Sequence, residues 1–146
     1  MLYNISYKDP KIEREINELV DKSYSLIENL KKGGIGSPKL FITRCSAAIY
    51  DLLHVNNTVK FCNIELRPKG IIIGFQSRLD VYALVIPYYK LVLFKPGNSI
   101  TFHIDQHYIS VDCSKNSKGV QKFINKLELE KEKNTYYSPL DVYLLF

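Results

Sequence analysis

Residues 83–94, A-L-V-I-P-Y-Y-K-L-V-L-F, form an almost unbroken run of strand-forming residues with a proline near the middle. Pro87 has no backbone N–H to give to a neighbouring strand, so the run is not one continuous central strand. It must bend, split or lie at an edge. Residues 80–86 and 88–94 therefore read as two strands, with the chain turning a corner at Pro87. That break predicts short strands folded back on one another.

The flanking sequence repeats the pattern. Residues 39–45, 47–53, 59–66 and 70–76 on one side, and 99–104 and 107–112 on the other, are short and rich in β-branched and aromatic residues. Turn chemistry separates them at Asn56-Asn57, Pro68-Lys69-Gly70, Ser77 to Asp80, Pro96-Gly97-Asn98 and Asp105-Gln106. Residues 39–112 are thus expected to be successive antiparallel strands. Before them, Ile12, Ile16, Leu19, Val20, Ser23, Leu26, Ile27 and Leu30 recur at three- and four-residue spacing, which predicts one amphipathic helix over residues 10–32. Asp9 and Pro10 mark its start, and Lys31, Lys32, Gly33 and Gly34 its stop. The run K-K-G-G-I-G-S-P, residues 31–38, follows a helix and leads into a strand, the reverse of a phosphate-cradling loop, so it reads as a linker. After the strands, Val120, Phe123, Ile124 and Leu127 share one helical face, predicting a closing helix over residues 117–132. Residues 134–146 are an apolar tail that must pack somewhere or be sticky.

The 146 residues, 46% hydrophobic and 24% charged, suit a single globular domain of class α+β. The net charge of +5 comes from 20 basic residues set against 15 acidic ones, a mild bias towards anionic partners. Cys45, Cys62 and Cys113 are isolated and odd in number, so neither a disulfide framework nor a zinc ribbon is indicated. The N-terminal residues lack the pattern of a secretory signal, and no stretch approaches the ~20 apolar residues of a spanning helix. A cytoplasmic protein without a transmembrane segment is expected.

The stretch R-P-K-G-I-I-I-G-F-Q-S-R-L-D-V-Y-A-L-V-I-P-Y-Y-K-L-V-L-F, residues 67–94, together with the order of strands followed by one helix, resembles the pleckstrin-homology-like superfamily, in its bacterial PH and GRAM-like branches. The resemblance covers residues 39–131. It implies an antiparallel barrel or sandwich of about seven strands, closed by the C-terminal helix, with the N-terminal helix as an addition. It also implies a binding or scaffold module rather than an enzyme. Family members that grip phosphoinositides carry a basic cluster in the first two strands. The nearest analogue here, Lys60 with Arg67 and Lys69, has the wrong final residue and is interrupted by Glu65, so headgroup binding is not carried over.

Three constellations could carry chemistry. Alternation along a strand would present His103, Asp105 and His107 to a metal, but Asp105-Gln106 reads as a turn that breaks the alternation. The cysteines sit in or beside strands, where small buried hydrophobes belong, and His54, His103 and His107 define no particular triad. Arg67, Lys69, Arg78, Tyr88, Tyr89 and Lys90 could combine charge and stacking for nucleic acid or an anionic membrane surface. The expectation is a non-catalytic module without a cofactor that binds a protein, peptide or small ligand at a sheet edge or the barrel mouth. The first helix and the tail also carry apolar area suited to a homodimer.

Overall fold

The computed structural model describes residues 1–53, 60–114 and 117–136. The expected turn at Asn56-Asn57, His54 and all but the start of the apolar tail lie outside the described residues. The elements in chain order are β1 (Leu2–Asn4), α1 (Pro10–Val20), α2 (Leu26–Lys31), β2 (Leu40–Cys45), α3 (Ala47–Leu53), β3 (Phe61–Arg67), β4 (Gly70–Ser77), β5 (Asp80–Pro87), β6 (Val92–Phe94), β7 (Ser99–Ile104), β8 (His107–Asp112) and α4 (Ser117–Tyr136). The strands form one antiparallel sheet in the order β1-β5-β4-β3-β2-β8-β7-β6. Two meanders, β2 to β5 and β6 to β8, meet where β2 pairs with β8.

In place of the expected barrel or sandwich of about seven strands there is one open sheet of eight. Its edges are β1 and β6, each of three residues, and β1 adds itself to the outer side of β5 through Leu2↔Leu84 and Asn4↔Tyr82. A flat sheet of eight strands would be about 34 Å wide at the ~4.8 Å strand spacing, far more than one helix of ~10–12 Å diameter covers. Yet α4 contributes Val120, Phe123, Ile124 and Leu127 to one core shared with side chains from every strand, so the sheet curls around the helix. A bulge at Ile42/Arg44, opposite Ser110 and Val111, bends β2 at the junction of the two meanders.

The run that opened the reading is apolar throughout because both of its faces are covered. Leu84 and Ile86 point into the main core, while Ala83 and Val85 join Tyr3, Ile16 and Val20 in a second cluster beneath α1. Pro87 ends β5 opposite Gly70. Its missing N–H falls on the β1 side, two residues past Val85, whose N–H donates to the carbonyl of Met1 at 2.8 Å. No ladder bond is sacrificed there. The chain then turns: Lys90 N and Leu91 N both donate to the Pro87 carbonyl, at 3.0 and 3.1 Å. The strand expected over 88–94 therefore contracts to Val92–Phe94, on the opposite edge of the sheet from β5's neighbour β1.

Two further expectations are corrected. The helix expected over 10–32 is broken at Asp21, whose φ is 70°, into α1 and α2. Asp21, Ser23 and Ser25 are weak helix formers, and Ser25 with Glu28 makes a capping box that starts a new helix. The guanidinium of Arg67 donates to the Asp21 carbonyl at 2.9 Å, and Lys69 N donates to the Val20 carbonyl at 3.0 Å, closing the end of α1. The strand expected over 47–53 is helix α3, which buries Ile49 and Leu53 at four-residue spacing. Helix α2 ends with Gly34 N donating to Asn29 O and Gly33 N to Leu30 O, both glycines at positive φ, which accounts for the K-K-G-G run. The closing helix extends four residues beyond its expected end.

Candidate functional site

The end of the roll away from Pro87 is where the sheet leaves room. Ser46 ends β2 and opens α3: its amide donates to Tyr108 O at 3.0 Å, and its hydroxyl accepts from Tyr108 N at 3.2 Å. Helix α3 therefore crosses the mouth of the roll. Its far end is tied to the end of β4, where the Ser77 hydroxyl donates to the Leu52 carbonyl. Between α3, the start of β3 and the end of β4 lies a cleft of about 510 Å³.

Leu53, Phe61 and Phe75 supply its apolar floor, Asn63 and Gln76 its neutral polar groups, and Lys39, Lys60 and Arg78 its charge. Among the described residues that line it there is no carboxylate. The ammonium of Lys39 sits 4.1 Å from the centre of the Phe61 ring, a cation–π contact that holds the charge on the wall. Phe61 is itself braced by Phe41, ring centres 4.7 Å apart. A second cleft of about 410 Å³ adjoins the same corner, sharing Leu53 and Lys60 and adding Arg44 and Tyr50. Excess positive charge beside a low-dielectric wall focuses the potential on an incoming anion.

Arg78 stands out in its backbone. It occupies the two-residue turn Arg78-Leu79 closing the β4–β5 hairpin at Ser77↔Asp80, with φ at 57°. Glycine or asparagine would normally take that conformation, and a residue with a Cβ is strained there by about 1 kcal/mol or more. Leu79 beside it is 96% exposed. A strained arginine and a bare leucine together form the tip of a hairpin at the rim of the cleft.

Of the residues singled out in the sequence, Arg78, Lys60 and Cys62 lie at this cleft. Arg67, Lys69, Tyr88, Tyr89 and Lys90 gather at the other end of β4, about 23 Å away along its eight residues. Arg67 is spent on structure there, bonded to Glu65, to Asn17 at 3.3 Å and to the Asp21 carbonyl. Tyr88 is buried, its hydroxyl donating to Arg67 O at 3.1 Å, and burial pushes its pKa above the ordinary tyrosine value. Tyr89 is exposed, and Lys90 lies 3.6 Å from Asp105. His103 pairs with Tyr108 and His107 with Ile104 across the Asp105-Gln106 turn, so the two histidines face opposite sides of the hairpin. Among the described residues no three His, Cys, Asp or Glu side chains come together as a metal-binding group. Cys62 is buried and its thiol is pushed up to about 12 by desolvation, while Cys45 and Cys113 are raised for the same reason.

Lys39, Asn63 and Gln76 escaped the sequence reading. For Asn63 and Gln76 the signal was the outward register of β3 and β4, where Asn63 faces Gly74. A two-residue turn lacking Gly, Asn and Asp was the other sign. No described helix is long and apolar enough to cross a membrane. Compared with known proteins, the chain matches no family model, no curated protein and no solved structure.

Proposed function

We propose that this chain is a non-catalytic, pleckstrin-homology-like binding module that receives a phosphate-bearing ligand in the cleft at the mouth of the roll. The fold reading is supported by the element order: a four-strand and a three-strand antiparallel meander joined through β2 and β8, followed by a helix seated in the curl. The functional reading rests on one observation, three cations around a cleft of about 510 Å³ with no carboxylate among its described lining residues. At about 5 Å, each unit pair contributes from ~0.8 kcal/mol in bulk water to ~3 kcal/mol at an effective dielectric of 20. Three such contacts favour a polyanion over a monoanion.

The phosphate can belong to a free molecule or to a lipid headgroup, and Leu79 separates the two. Burying that leucine in a bilayer interface adds about 1.5–3 kcal/mol, which a free ligand does not supply. Pyrophosphate titration by calorimetry and co-sedimentation with phosphatidylserine vesicles, each across a salt series, test the proposal. Affinity should fall steeply with salt and drop in Lys39→Glu and Arg78→Glu. Leu79→Ser should weaken vesicle binding alone if the lipid is the source. Absence of both interactions at low salt, or affinity unchanged by the charge reversals, would overturn the assignment.

A further inference from the structure

The second cleft at the mouth of the roll differs in make-up from the first. Its walls are the end of β2, helix α3 and the start of β8. Ile42, Cys45 and Leu53 supply apolar surface, and Tyr50 and Tyr108 bring two phenol rings to it. The bulge at Ile42/Arg44 falls in this wall, and a bulge re-aims the side chains beside it. Tyr108 is fixed from two directions: its backbone exchanges hydrogen bonds with Ser46, and its ring centre lies 5.4 Å from that of His103. Tyr50 is 52% exposed. Arg44 is exposed as well, and among the described residues no carboxylate pairs with it.

This second cleft is a poor place for another phosphate. Burial raises the Cys45 thiol above its ordinary value, so that part of the wall is uncharged, and an anion against Ile42, Cys45 and Leu53 would lose hydration without finding a hydrogen-bond donor in them. A planar heteroaromatic ring fares better. It buries its faces against apolar side chains, stacks on phenol rings, and accepts the flat guanidinium of an arginine on its π-system. The two clefts meet at Leu53 and Lys60, which line both. A ring in the second cleft therefore stands beside a phosphate in the first. Each cleft falls within the roughly 300–1,000 Å³ of ordinary small-molecule sites.

We infer that the two clefts form one site for a nucleoside diphosphate, its phosphates among Lys39, Lys60 and Arg78 and its base against Tyr50, Tyr108 and Arg44. The inference rests on the reading of the first cleft as a phosphate site, and narrows it to phosphates that carry a ring. Calorimetric titration of the full chain with ADP and with pyrophosphate in the same buffer tests it, because the two carry similar charge and only ADP has a base. ADP should bind about tenfold more tightly, the worth of one good stacking contact. Tyr50→Ala and Tyr108→Leu should each weaken ADP binding about fivefold and leave pyrophosphate binding unchanged, which also shows that the variant is folded. Wild-type protein that binds ADP no more tightly than pyrophosphate would overturn the inference and leave the phosphate site standing. ADP affinity unaltered in both variants would overturn it equally, and absence of binding by either ligand would remove the phosphate site with it.

Discussion

Replacing Gly70 by alanine probes how α1 is held on the sheet. Gly70 has no need of glycine's left-handed freedom; it is needed for closeness. A methyl built there would meet Ile86 O and Val20 Cγ1, each at 2.4 Å, and Pro87 Cα at 2.9 Å. Two of the three obstacles are backbone of β5, and the third is the fully buried anchor of α1. Val20 can withdraw only if the helix end lifts, which loosens Ile16, Tyr3 and Val85 as well. Overpacking costs ~1–3 kcal/mol, and partial loss of the burial of Val20 and Ile16, each worth about 1.5–3 kcal/mol when complete, adds to it. A destabilisation of about 3–4 kcal/mol is expected by equilibrium urea unfolding. Val20→Ala alone removes two methyls from a filled site, about 2 kcal/mol. In the double variant the clash with Cγ1 is gone while that with Ile86 O remains. Its loss should therefore fall short of the sum by about 1 kcal/mol or more. Additivity within ~0.5 kcal/mol, or a Gly70→Ala loss below about 1 kcal/mol, would refute the close approach of α1 to β4.

Arg78→Gly relieves a left-handed arginine at the hairpin tip and removes a cation from the cleft. Thermal unfolding should show stability unchanged or raised by up to about 1 kcal/mol, while calorimetry shows weaker pyrophosphate binding. Tyr88→Phe deletes the bond to the Arg67 carbonyl in a buried setting and should cost about 1 kcal/mol in urea unfolding, with no effect on pyrophosphate affinity. Alkaline stability follows from Cys62, whose folded thiol lies at about 12 against an ordinary 9.0. The protonated form is favoured by folding, so this stabilisation is complete below about pH 9 and declines by ~1.4 kcal/mol per pH unit up to about pH 12. Tyr24 and Tyr88, raised by burial, steepen the decline above their ordinary value of 10.0. Urea midpoints measured across that range should show the slope, and Cys62→Val should remove its first part.

How much of this was legible in the letters differs by element. The corner at Pro87 was, because a missing N–H is a local fact that no neighbour can supply. So were the Asp105-Gln106 turn that separates His103 from His107, and the α4 face of Val120, Phe123, Ile124 and Leu127, where three- and four-residue periodicity is unambiguous over two turns. The strand read into residues 47–53 failed because A-A-I-Y-D-L-L is too short for period two and period 3.6 to be told apart. Its two alanines were the helical sign. The single helix read into residues 10–32 failed because an apolar stripe can continue in register across a break. The capping box at Ser25 and Glu28 outweighed it. Met1 to Asn4 showed no strand at all; a three-residue edge strand is made by the free side of β5, not by its own propensity.

The sequence by itself determined that short antiparallel strands turn at Pro87, that a C-terminal helix offers one apolar face to them, and that basic residues outnumber acidic ones. Each of these depends on neighbours within a few positions. Only the tertiary structure decided that Lys39, Lys60 and Arg78 share a cleft while Arg67 and Lys90 stand at the far end of β4, that the sheet stays open, and that the helix over residues 26–31 turns its leucines outward. The reason is separation along the chain: Lys39 and Arg78 are brought to one cleft by strand register and the curl of the sheet around α4, long-range quantities that no local pattern of residues encodes.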